Sequence, residues 1–301
     1  MVKIVGILNI TPDSFSDGGK FFKVNDALAH VEKLVSEGVD IIDVGGESSR
    51  PGSVIVSEDE EIRRVIPVIV EIKKRFPKIP VSIDTYKPNV ASRAIDNGAE
   101  IVNDIYGMRW FHSFRDDACS CRQNENKMAD VVAQKNVSVI IMHMKGTPLN
   151  MQKKAEYKDV ISEIYEFFDE RIKFAKSKGI KEKKIILDPG IGFGKTLQHN
   201  LLIMKNLQKF KKLGLPVMVG ASRKSFINEL LKVDHVGCGV FCQNISNIAD
   251  RQDGTIAASL YCVLNGADYL RVHDVLSMKR AITVFEAIRG QNLTTKLRTE
   301  D

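Results

Sequence analysis

The chain has 301 residues, of which 44% are hydrophobic, so it can form one large α/β domain or two domains of ordinary size. Its formal net charge is +6, with basic side chains spread among acidic ones, which favours a small anionic substrate over nucleic acid; an ordinary solvated basic surface is the alternative. No apolar run approaches the roughly 20 residues that span a bilayer, and the first residues resemble a strand and not a signal peptide, so we expect a cytoplasmic protein with no membrane partner.

The five cysteines are an odd number in a long chain, which does not indicate a disulfide framework. Two pairs stand near a histidine in the sequence: Cys119 and Cys121 near His112, and Cys238 and Cys242 near His235. Their spacings match no common zinc pattern, so we expect free thiols, with a zinc site as the alternative.

Short runs rich in β-branched residues recur along the chain and predict eight strands. In chain order they cover residues 3–10, 40–48, 80–85, 101–106, 137–144, 184–189, 216–222 and 268–274. Apolar residues at three- and four-residue spacing predict helices between them, including residues 25–37, 58–75, 157–178 and 199–213. Glycines stand where helix C-caps belong, just before several strands: Gly38, Gly98, Gly179, Gly214 and Gly266.

Near-continuously apolar strands separated by helices indicate a parallel sheet that is covered on both faces. Eight such units, in a chain slightly above the roughly 250 residues typical of the fold, predict a closed (β/α)8 TIM barrel, with a doubly wound open sheet as the alternative. We expect one barrel domain over residues 1–290 and a C-terminal tail over residues 291–301. Long polar stretches at residues 108–127 and 232–253 predict enlarged loops after the fourth and seventh strands.

Polar side chains end every predicted strand, which in a barrel places them at the face that carries the active site. They are Asn9, Glu47, Arg50, Asp84, Asn103, Asp104, His143, Asp188, Ser222, Arg223, Lys224, Arg271 and His273. Any one of them could be a cap or an ordinary loop residue, but eight convergent strand ends predict a site.

These side chains divide into two chemical groups. Asp84, Asn103 and Asp188 offer acceptors and an amide that suit a flat heterocycle rich in N–H groups. The second group offers donors that suit a phosphorylated group, and the oxygen of Asn9 also suits magnesium. This donor group comprises Asn9, Arg50, Arg271 and His273.

The stretch ILDPGIGFGKT, residues 186–196, ends like a phosphate-binding P-loop. A P-loop needs a glycine where this chain has Pro189, and a dinucleotide-binding loop needs a third glycine where it has Lys195. We therefore expect no nucleotide at this loop.

Eight segments, one in each unit and in order, resemble the dihydropteroate synthase family. They are residues 7–19 (ILNITPDSFSDGG), 43–52 (DVGGESSRPG), 82–88 (SIDTYKP), 102–105 (VNDI), 142–148 (MHMKGTP), 188–195 (DPGIGFGK), 220–226 (GASRKSF) and 266–275 (GADYLRVHDV). The resemblance implies that 6-hydroxymethyl-7,8-dihydropterin diphosphate and 4-aminobenzoate are condensed to 7,8-dihydropteroate and diphosphate, in a homodimer that uses Mg²⁺ and is a sulfonamide target.

The resemblance also implies a role for each site residue. The pterin would contact Asp84, Asn103, Met142, Asp188, Phe193 and Lys224; the diphosphate would contact Asn9, Arg271 and His273, with Asn9 as the magnesium ligand; and the aminobenzoate would contact Phe15, Ser49, Arg50, Pro51 and Ser222. Asp84, Lys224, Arg271 and His273 would be the catalytic residues. Asp13 and Asp17 would lie on a mobile loop that orders over the diphosphate. Ser49 departs from the threonine usual in the family but keeps the hydroxyl.

Two other functions are compatible with a pterin-binding barrel. A corrinoid-dependent methyltransferase domain would share the barrel and some pterin contacts, but it has no use for the residues assigned to the diphosphate. A noncatalytic pterin-binding subunit would bind the pterin without releasing diphosphate when aminobenzoate is added.

Overall fold

A computed structural model describes residues 2–11, 20–50, 53–109, 127–148, 150–151, 155–232 and 251–290, with side chains from residue 24 onward in the first helix. Within these ranges the strands are β1 (Lys3–Asn9), β2 (Ile41–Gly45), β3 (Val81–Asp84), β4 (Ile101–Asp104), β5 (Ser138–Met142), β6 (Ile185–Asp188), β7 (Met218–Val219) and β8 (Tyr269–Val272). The α-helices are α1 (Lys20–Ser36), α2 (Glu58–Arg75), α3 (Pro88–Asp96), α4 (Lys127–Lys135), α5 (Val160–Ser177), α6 (Leu197–Lys205), α7 (Leu207–Lys211), α8 (Ser225–Leu231), α9 (Gln252–Leu264) and α10 (Val275–Ile288). A 3₁₀ turn at Glu182–Lys184 precedes β6.

The eight strands form one parallel sheet in the order β6-β5-β4-β3-β2-β1-β8-β7. The two edges of the sheet meet, because Leu187 of β6 forms a parallel bridge with Val217, the residue before β7. The Leu187 amide also donates to the Pro216 carbonyl at 2.9 Å. The predicted (β/α)8 barrel is therefore confirmed, and the open-sheet alternative is wrong.

A layer of apolar side chains fills the lower part of the barrel. It consists of Val5, Ile41, Ile101, Ile140, Ile186 and Met218, with Tyr269 packed against them. Successive side chains of a strand point to opposite faces, so the residue two positions further along each strand lies on the same inner side. On four strands that residue is polar: Asp43, Asn103, Asp188 and Arg271. The floor of the site thus rests directly on the apolar layer.

Most of the helix predictions are confirmed, and one is corrected. Helix α2 has the predicted bounds: the Ser57 hydroxyl accepts from the Glu60 amide, and acidic side chains in the first turn and basic ones in the last complement the helix dipole. The single helix predicted for residues 199–213 is two helices, because Asn206 leaves the helical conformation with φ −112° and ψ 19°. All five predicted C-cap glycines have positive φ.

Several predictions concern residues outside the described ranges. These include most of the two enlarged loops, the tail at residues 291–301, and the four cysteines considered as zinc ligands. Cys262 on α9 is a buried free thiol. Within the part of the chain that the structure describes, no helix is both long enough and apolar enough to cross a membrane.

Candidate active site

Three predicted site residues stand in one row across the mouth of the barrel. The strand register pairs Asn9 with Gly45, Gly45 with Asp84, and Asp84 with Asn103. Gly45 stands in the middle of the row, where an added Cβ would be in ordinary contact with Asn9 Oδ1 at 3.5 Å and with Asp84 Cβ at 3.6 Å. Asn9 and Asp84 therefore flank the same small space.

Arg271 lies between two carboxylates below this row. Its Nε donates to Asp43 Oδ2 at 2.6 Å, and its Nη2 donates to Asp84 Oδ2 at 2.7 Å. Burial opposes the arginine charge, but the carboxylates of Asp43 and Asp84 outweigh it and raise the pKa of Arg271 above its usual value. Burial raises the pKa of Asp84 to about 7, against the opposing effect of Arg271.

This arrangement joins the two predicted groups of the site, whose roles stay predictions. Arg271, expected among the donors for the diphosphate, is ion-paired with Asp84, which was expected on the heterocycle side. The reason is geometric, because Arg271 follows the apolar layer by two residues and therefore reaches the floor of the site. Its binding of diphosphate stays a prediction.

Asp43 is a residue of the cluster that the strand-end argument missed. Its side chain is 0% exposed, and its Oδ2 also accepts from Asn103 Nδ2 at 3.0 Å. A charged residue inside the otherwise apolar run IIDVG of β2 was the available signal. Asp43 Oδ1 and Asn103 Oδ1 are both buried and have no hydrogen-bond partner among the described residues.

Asp188 and Met142 stand opposite each other on β6 and β5. Asp188 is buried, and its Oδ1 accepts from the Gly190 amide at 2.7 Å. Burial raises the pKa of Asp188, whereas the Gly190 hydrogen bond and the charge of Lys224 lower it. Met142 packs with Phe193 in a small apolar cluster beside this carboxylate, so an acidic group and an apolar wall lie together.

Lys224 crosses the site from the end of β7. Its Nζ lies 4.0 Å from the centre of the Phe193 ring, which is a cation–π contact. Burial and the neighbouring charge of Arg271 lower the pKa of Lys224 to about 8, although Asp188 and Asp84 favour its charged form. The structure therefore places the Lys224 amine against Phe193 and close enough to Asp84 and Asp188 for their charges to act on it.

Ser222 and His273 connect β7 and β8 at the rim. The Ser222 hydroxyl and His273 Nδ1 are 2.9 Å apart, and the His273 amide donates to Ser222 Oγ at 3.3 Å. Burial, followed by the charges of Arg223 and Arg271, lowers the pKa of His273 to about 3, so its ring is neutral at pH 7. A predicted aminobenzoate residue and a predicted diphosphate residue are thus direct neighbours.

A buried ion-pair network holds the segment that carries Ser49 and Arg50, both of which are described. Lys87 Nζ donates at 2.6 Å to each of Glu47 Oε2, Glu61 Oε2 and the Val56 carbonyl. Glu47 also accepts from the Val56 amide at 2.9 Å and from the Tyr86 hydroxyl at 2.9 Å. Residues 47 and 56 are therefore joined by a direct hydrogen bond and by their shared contact with Lys87. Ser49 and Arg50 lie between them in the sequence. Sequence reasoning did not identify this network.

The loop that resembles a P-loop is held by protein contacts. A Cβ on Gly190 would lie 2.0 Å from the His143 carbonyl oxygen, and one on Gly194 would lie 2.3 Å from the Lys145 carbonyl oxygen. Lys195 is buried and its Nζ contacts the carbonyls of His143 and Phe193, at 3.1 and 2.9 Å. Burial lowers the pKa of Lys195 well below its usual value. The amine of Lys195 therefore joins this loop to the residue that follows β5.

Four predicted site residues, Asp13, Phe15, Asp17 and Pro51, lie outside the described residues. Two other strand-end residues have local roles. Asp104 accepts from the Tyr106 and Met108 amides and so shapes the turn after β4, and His143 packs edge-on against Phe167. Among the described residues, no group of three or more His, Cys, Asp or Glu side chains could hold a metal ion.

A family model described as pterin binding enzyme matches residues 5–273. A dihydropteroate synthase from Clostridium beijerinckii is 44% identical over 286 residues, which are 95% of this chain and 93% of that protein. The chain belongs to the dihydropteroate synthase family. The prediction that this protein is an enzyme of the transferase class is therefore confirmed.

Solved structures of dihydropteroate synthases agree with the fold. One from Clostridium difficile, obtained with pteroic acid, has a TM-score of 0.81 and 41% identity, covering 95% of this chain and 96% of that one. One from Xanthomonas albilineans, with 4-aminobenzoic acid, has a TM-score of 0.81 and 38% identity, covering 96% of this chain and 93% of that one. The dihydropteroate synthase relatives thus match the whole barrel and not a single motif.

Proposed function

We propose that this chain condenses 6-hydroxymethyl-7,8-dihydropterin diphosphate with 4-aminobenzoate, releasing 7,8-dihydropteroate and diphosphate. The observation that carries the proposal is the set of acceptors at the barrel mouth, contributed by the buried Asn103 and Asp188 and by Asp84, which is 14% exposed, above an apolar layer. Buried acceptors of this kind require donors, and a pterin ring presents several N–H groups in one plane.

The pterin ring is proposed to lie between Asp188 and the apolar pair Met142 and Phe193. A carboxylate oxygen of Asp188 accepts from the ring N–H and the 2-amino group. Asn103 Oδ1, which has no partner among the described residues, accepts from a further ring donor. Lys224 lies across Phe193 and donates to a ring acceptor from the other side. The ring thereby supplies a donor to Asn103 Oδ1 and further donors to Asp188, which already accepts from the Gly190 amide.

The reaction is proposed to begin with departure of the diphosphate. The methylene C–O bond breaks with its electron pair on diphosphate, and the electron-rich dihydropterin shares the positive charge that remains on carbon. The ionised carboxylate of Asp84 is proposed to stabilise this cation, and the hydrogen bond from Arg271 at 2.7 Å supports a fixed orientation for it. Fixed charges of this kind stabilise a transition state without reorganising during the step.

The diphosphate is proposed to contact Asn9, Arg271 and His273. The neutral His273 ring is positioned through Nδ1 by Ser222 and can donate its other N–H to an oxygen of the leaving group. Mg²⁺ fits the donor chemistry here, because it is usually held by one or two protein oxygens together with phosphate oxygens and water, and Asn9 Oδ1 is such an oxygen. Bound magnesium would neutralise charge on the diphosphate.

The amine of 4-aminobenzoate is proposed to attack the methylene carbon from the side of Ser222 and the segment held by Glu47. The N–C bond forms, and the resulting ammonium loses one proton to solvent. An arylamine is neutral at pH 7, so no general base is required. Ser49 and Arg50 lie in the sequence between Glu47 and Val56, which both accept hydrogen bonds from Lys87. These hydrogen bonds are proposed to keep Ser49 and Arg50 close to the rim of the barrel.

A diphosphate-release assay tests the proposal. Purified protein, the pterin diphosphate and Mg²⁺ are mixed with and without 4-aminobenzoate, and the dihydropteroate is identified by mass spectrometry. We expect release of diphosphate to match formation of dihydropteroate. The Asp188→Asn variant should lose this activity, whereas Asp169→Asn, an exposed carboxylate paired with Lys173 on α5, should keep it.

The same assay together with a pterin-binding measurement tests one alternative function, and a separate methyl-transfer assay tests the other. Pterin binding without diphosphate release would indicate a noncatalytic subunit. Transfer of a methyl group from methyltetrahydrofolate to a corrinoid would indicate a methyltransferase domain. The predicted homodimer and cytoplasmic location are also part of this proposal, and light scattering of the purified protein measures the former.

A further inference from the structure

The turn that follows β7 has an unusual backbone. Arg223 has φ 58°, in the left-handed region that residues with a side chain rarely adopt. The two residues on either side of it, Ser222 and Lys224, both belong to the proposed site. A strained residue between two site residues is typical of positions where the surrounding structure holds the chain for function.

The left-handed residue lies in a tight turn between the end of β7 at Val219 and the start of α8. The Lys224 amide donates to the Ala221 carbonyl at 3.3 Å, and helix α8 begins at the next residue, Ser225. A chain that stayed extended would carry Lys224 about 6.6 Å further along the strand axis than Ser222. The turn keeps Ser222 beside His273 and Lys224 over Phe193 at the same time.

Two side chains at the start of α9, those of Arg251 and Thr255, form hydrogen bonds with the backbone of Arg223. We call this pair of hydrogen bonds the clamp. The Arg223 amide donates to Thr255 Oγ1 at 3.1 Å. Arg251 Nη1 donates to the Arg223 carbonyl at 3.0 Å. Thr255 is 1% exposed, so its hydroxyl is an acceptor buried inside the protein. Both backbone polar groups of the strained residue are therefore satisfied by one helix.

A glycine allows α9 to come close enough for these contacts. A Cβ on Gly254 would lie 2.4 Å from Ile227 Cγ2 on α8. Helices α8 and α9 therefore pack closely at this position, one residue before Thr255.

We propose that Arg251 and Thr255 are positioning residues that hold Arg223 in the left-handed conformation and so set the relative placement of Ser222 and Lys224. This inference rests on the proposed function for the roles of Ser222 and Lys224. Neither Arg251 nor Thr255 needs to contact a substrate. Their effect is to fix the aminobenzoate side and the pterin side of the site with respect to each other.

The Thr255→Val variant tests the clamp, because valine keeps the shape of threonine and removes the acceptor. We expect kcat to fall and KM for 4-aminobenzoate to rise, each about 10-fold, as misplaced catalytic groups lose rate steeply. Thr255→Ser keeps the hydroxyl and is the matched control, expected within about twofold of the original chain on the same reasoning. Both variants should show the original circular dichroism spectrum.

A second substitution distinguishes positioning from a general structural role. Glycine adopts positive φ without strain, so adding Arg223→Gly to Thr255→Val should restore kcat and KM to within about threefold of the Arg223→Gly single variant. A purely structural defect at Thr255 would persist in the double variant. Persistence of the defect, or unchanged kinetics in Thr255→Val, would overturn the proposal.

Amide hydrogen exchange supplies a readout that does not depend on turnover. In the Thr255→Val and Arg251→Met variants, the peptide that contains residues 220–226 should exchange faster, whereas peptides from β4 should not change. If the original chain releases no diphosphate, the proposed function fails but this exchange result still decides whether the clamp exists. Unchanged exchange in both variants would refute the clamp.

Discussion

Replacing Arg271 with methionine removes the central charge of the site and leaves two carboxylates without their partner. Asp43 is fully buried and Asp84 is 14% exposed, and both accept short hydrogen bonds from the same guanidinium. Removing one partner of a buried ion pair typically costs about 3–5 kcal/mol. Because this arginine has two partners, we expect a loss of at least about 3 kcal/mol in the free energy of unfolding at pH 8.

The loss should depend on pH in a direction that follows from Asp84. Burial already raises the pKa of Asp84 to about 7, and Arg271 is the strongest opposing influence, so its removal raises this pKa further. The unfolded value is about 3.9. A carboxyl whose folded pKa exceeds the unfolded one contributes stability in acid that is lost as the pH rises through the folded pKa. Arg271→Met should therefore be most harmful at pH 8 and much less so at pH 5.

Urea unfolding of the two proteins at pH 5 and pH 8 measures both quantities. Arg75→Met is the matched control, because Arg75 pairs with Glu32 and Glu71 at the surface and should change stability by less than about 1 kcal/mol. A loss below about 1 kcal/mol for Arg271→Met, or an equal loss at both pH values, would refute the reasoning that the two carboxylates are buried, charged and held by this arginine.

Three further measurements test other parts of the site. The reaction rate at low concentrations of pterin diphosphate should have a bell-shaped dependence on pH, rising as Asp84 ionises near pH 7 and falling as Lys224 loses its proton near pH 8. Lys224→Arg should abolish the fall at alkaline pH. An unchanged fall in this variant would exclude Lys224 as the group that titrates there. Asp188→Ala should weaken pterin binding in calorimetry by roughly 1–3 kcal/mol per lost hydrogen bond, and near-normal affinity would place the ring elsewhere. Lys87→Met should lower the free energy of unfolding by about 3–5 kcal/mol and raise KM for aminobenzoate more than KM for the pterin diphosphate. Both effects should be smaller in a Lys87→Arg variant. Equal changes in KM for the two substrates would exclude the idea that Lys87 acts on aminobenzoate binding through Glu47.

Local sequence patterns were sufficient for the existence of the strands and for most of the predicted helices, but not for the break at Asn206. Helix α2 was predicted with its bounds from its apolar spacing, and the structure shows that Ser57 and the charge pattern also mark its ends. The seventh strand was predicted at residues 216–222, but β7 is Met218–Val219. Its length depends on hydrogen bonds to a strand elsewhere in the sequence, and no local pattern encodes where that ladder stops.

The site was predictable where strands end and not where side chains meet across the barrel. Asp84, Asp188 and Lys224 were found because they follow strands. Asp43 was missed because it lies inside β2, although the position two residues after the apolar layer would have indicated it. The contact of Lys87 with Glu61 joins residues that are 26 apart in sequence, and it depends on how α2 packs beside the start of α3, where Lys87 is the N-cap.

The closure of the barrel between β6 and β7 has a consequence for how this chain could be rearranged. The seam there is a single bridge, whereas neighbouring strands elsewhere share ladders of two to five residue pairs. Gly214 precedes the seam in an exposed loop, where an added Cβ meets no atom within 4 Å. We expect a circular permutant that starts at Leu215, with the original termini joined by a linker, to recover the same barrel. The break in the chain would then lie at the seam between β6 and β7, which has the fewest strand-to-strand residue pairs. The part of the chain that leads from β8 to β1 would be continuous.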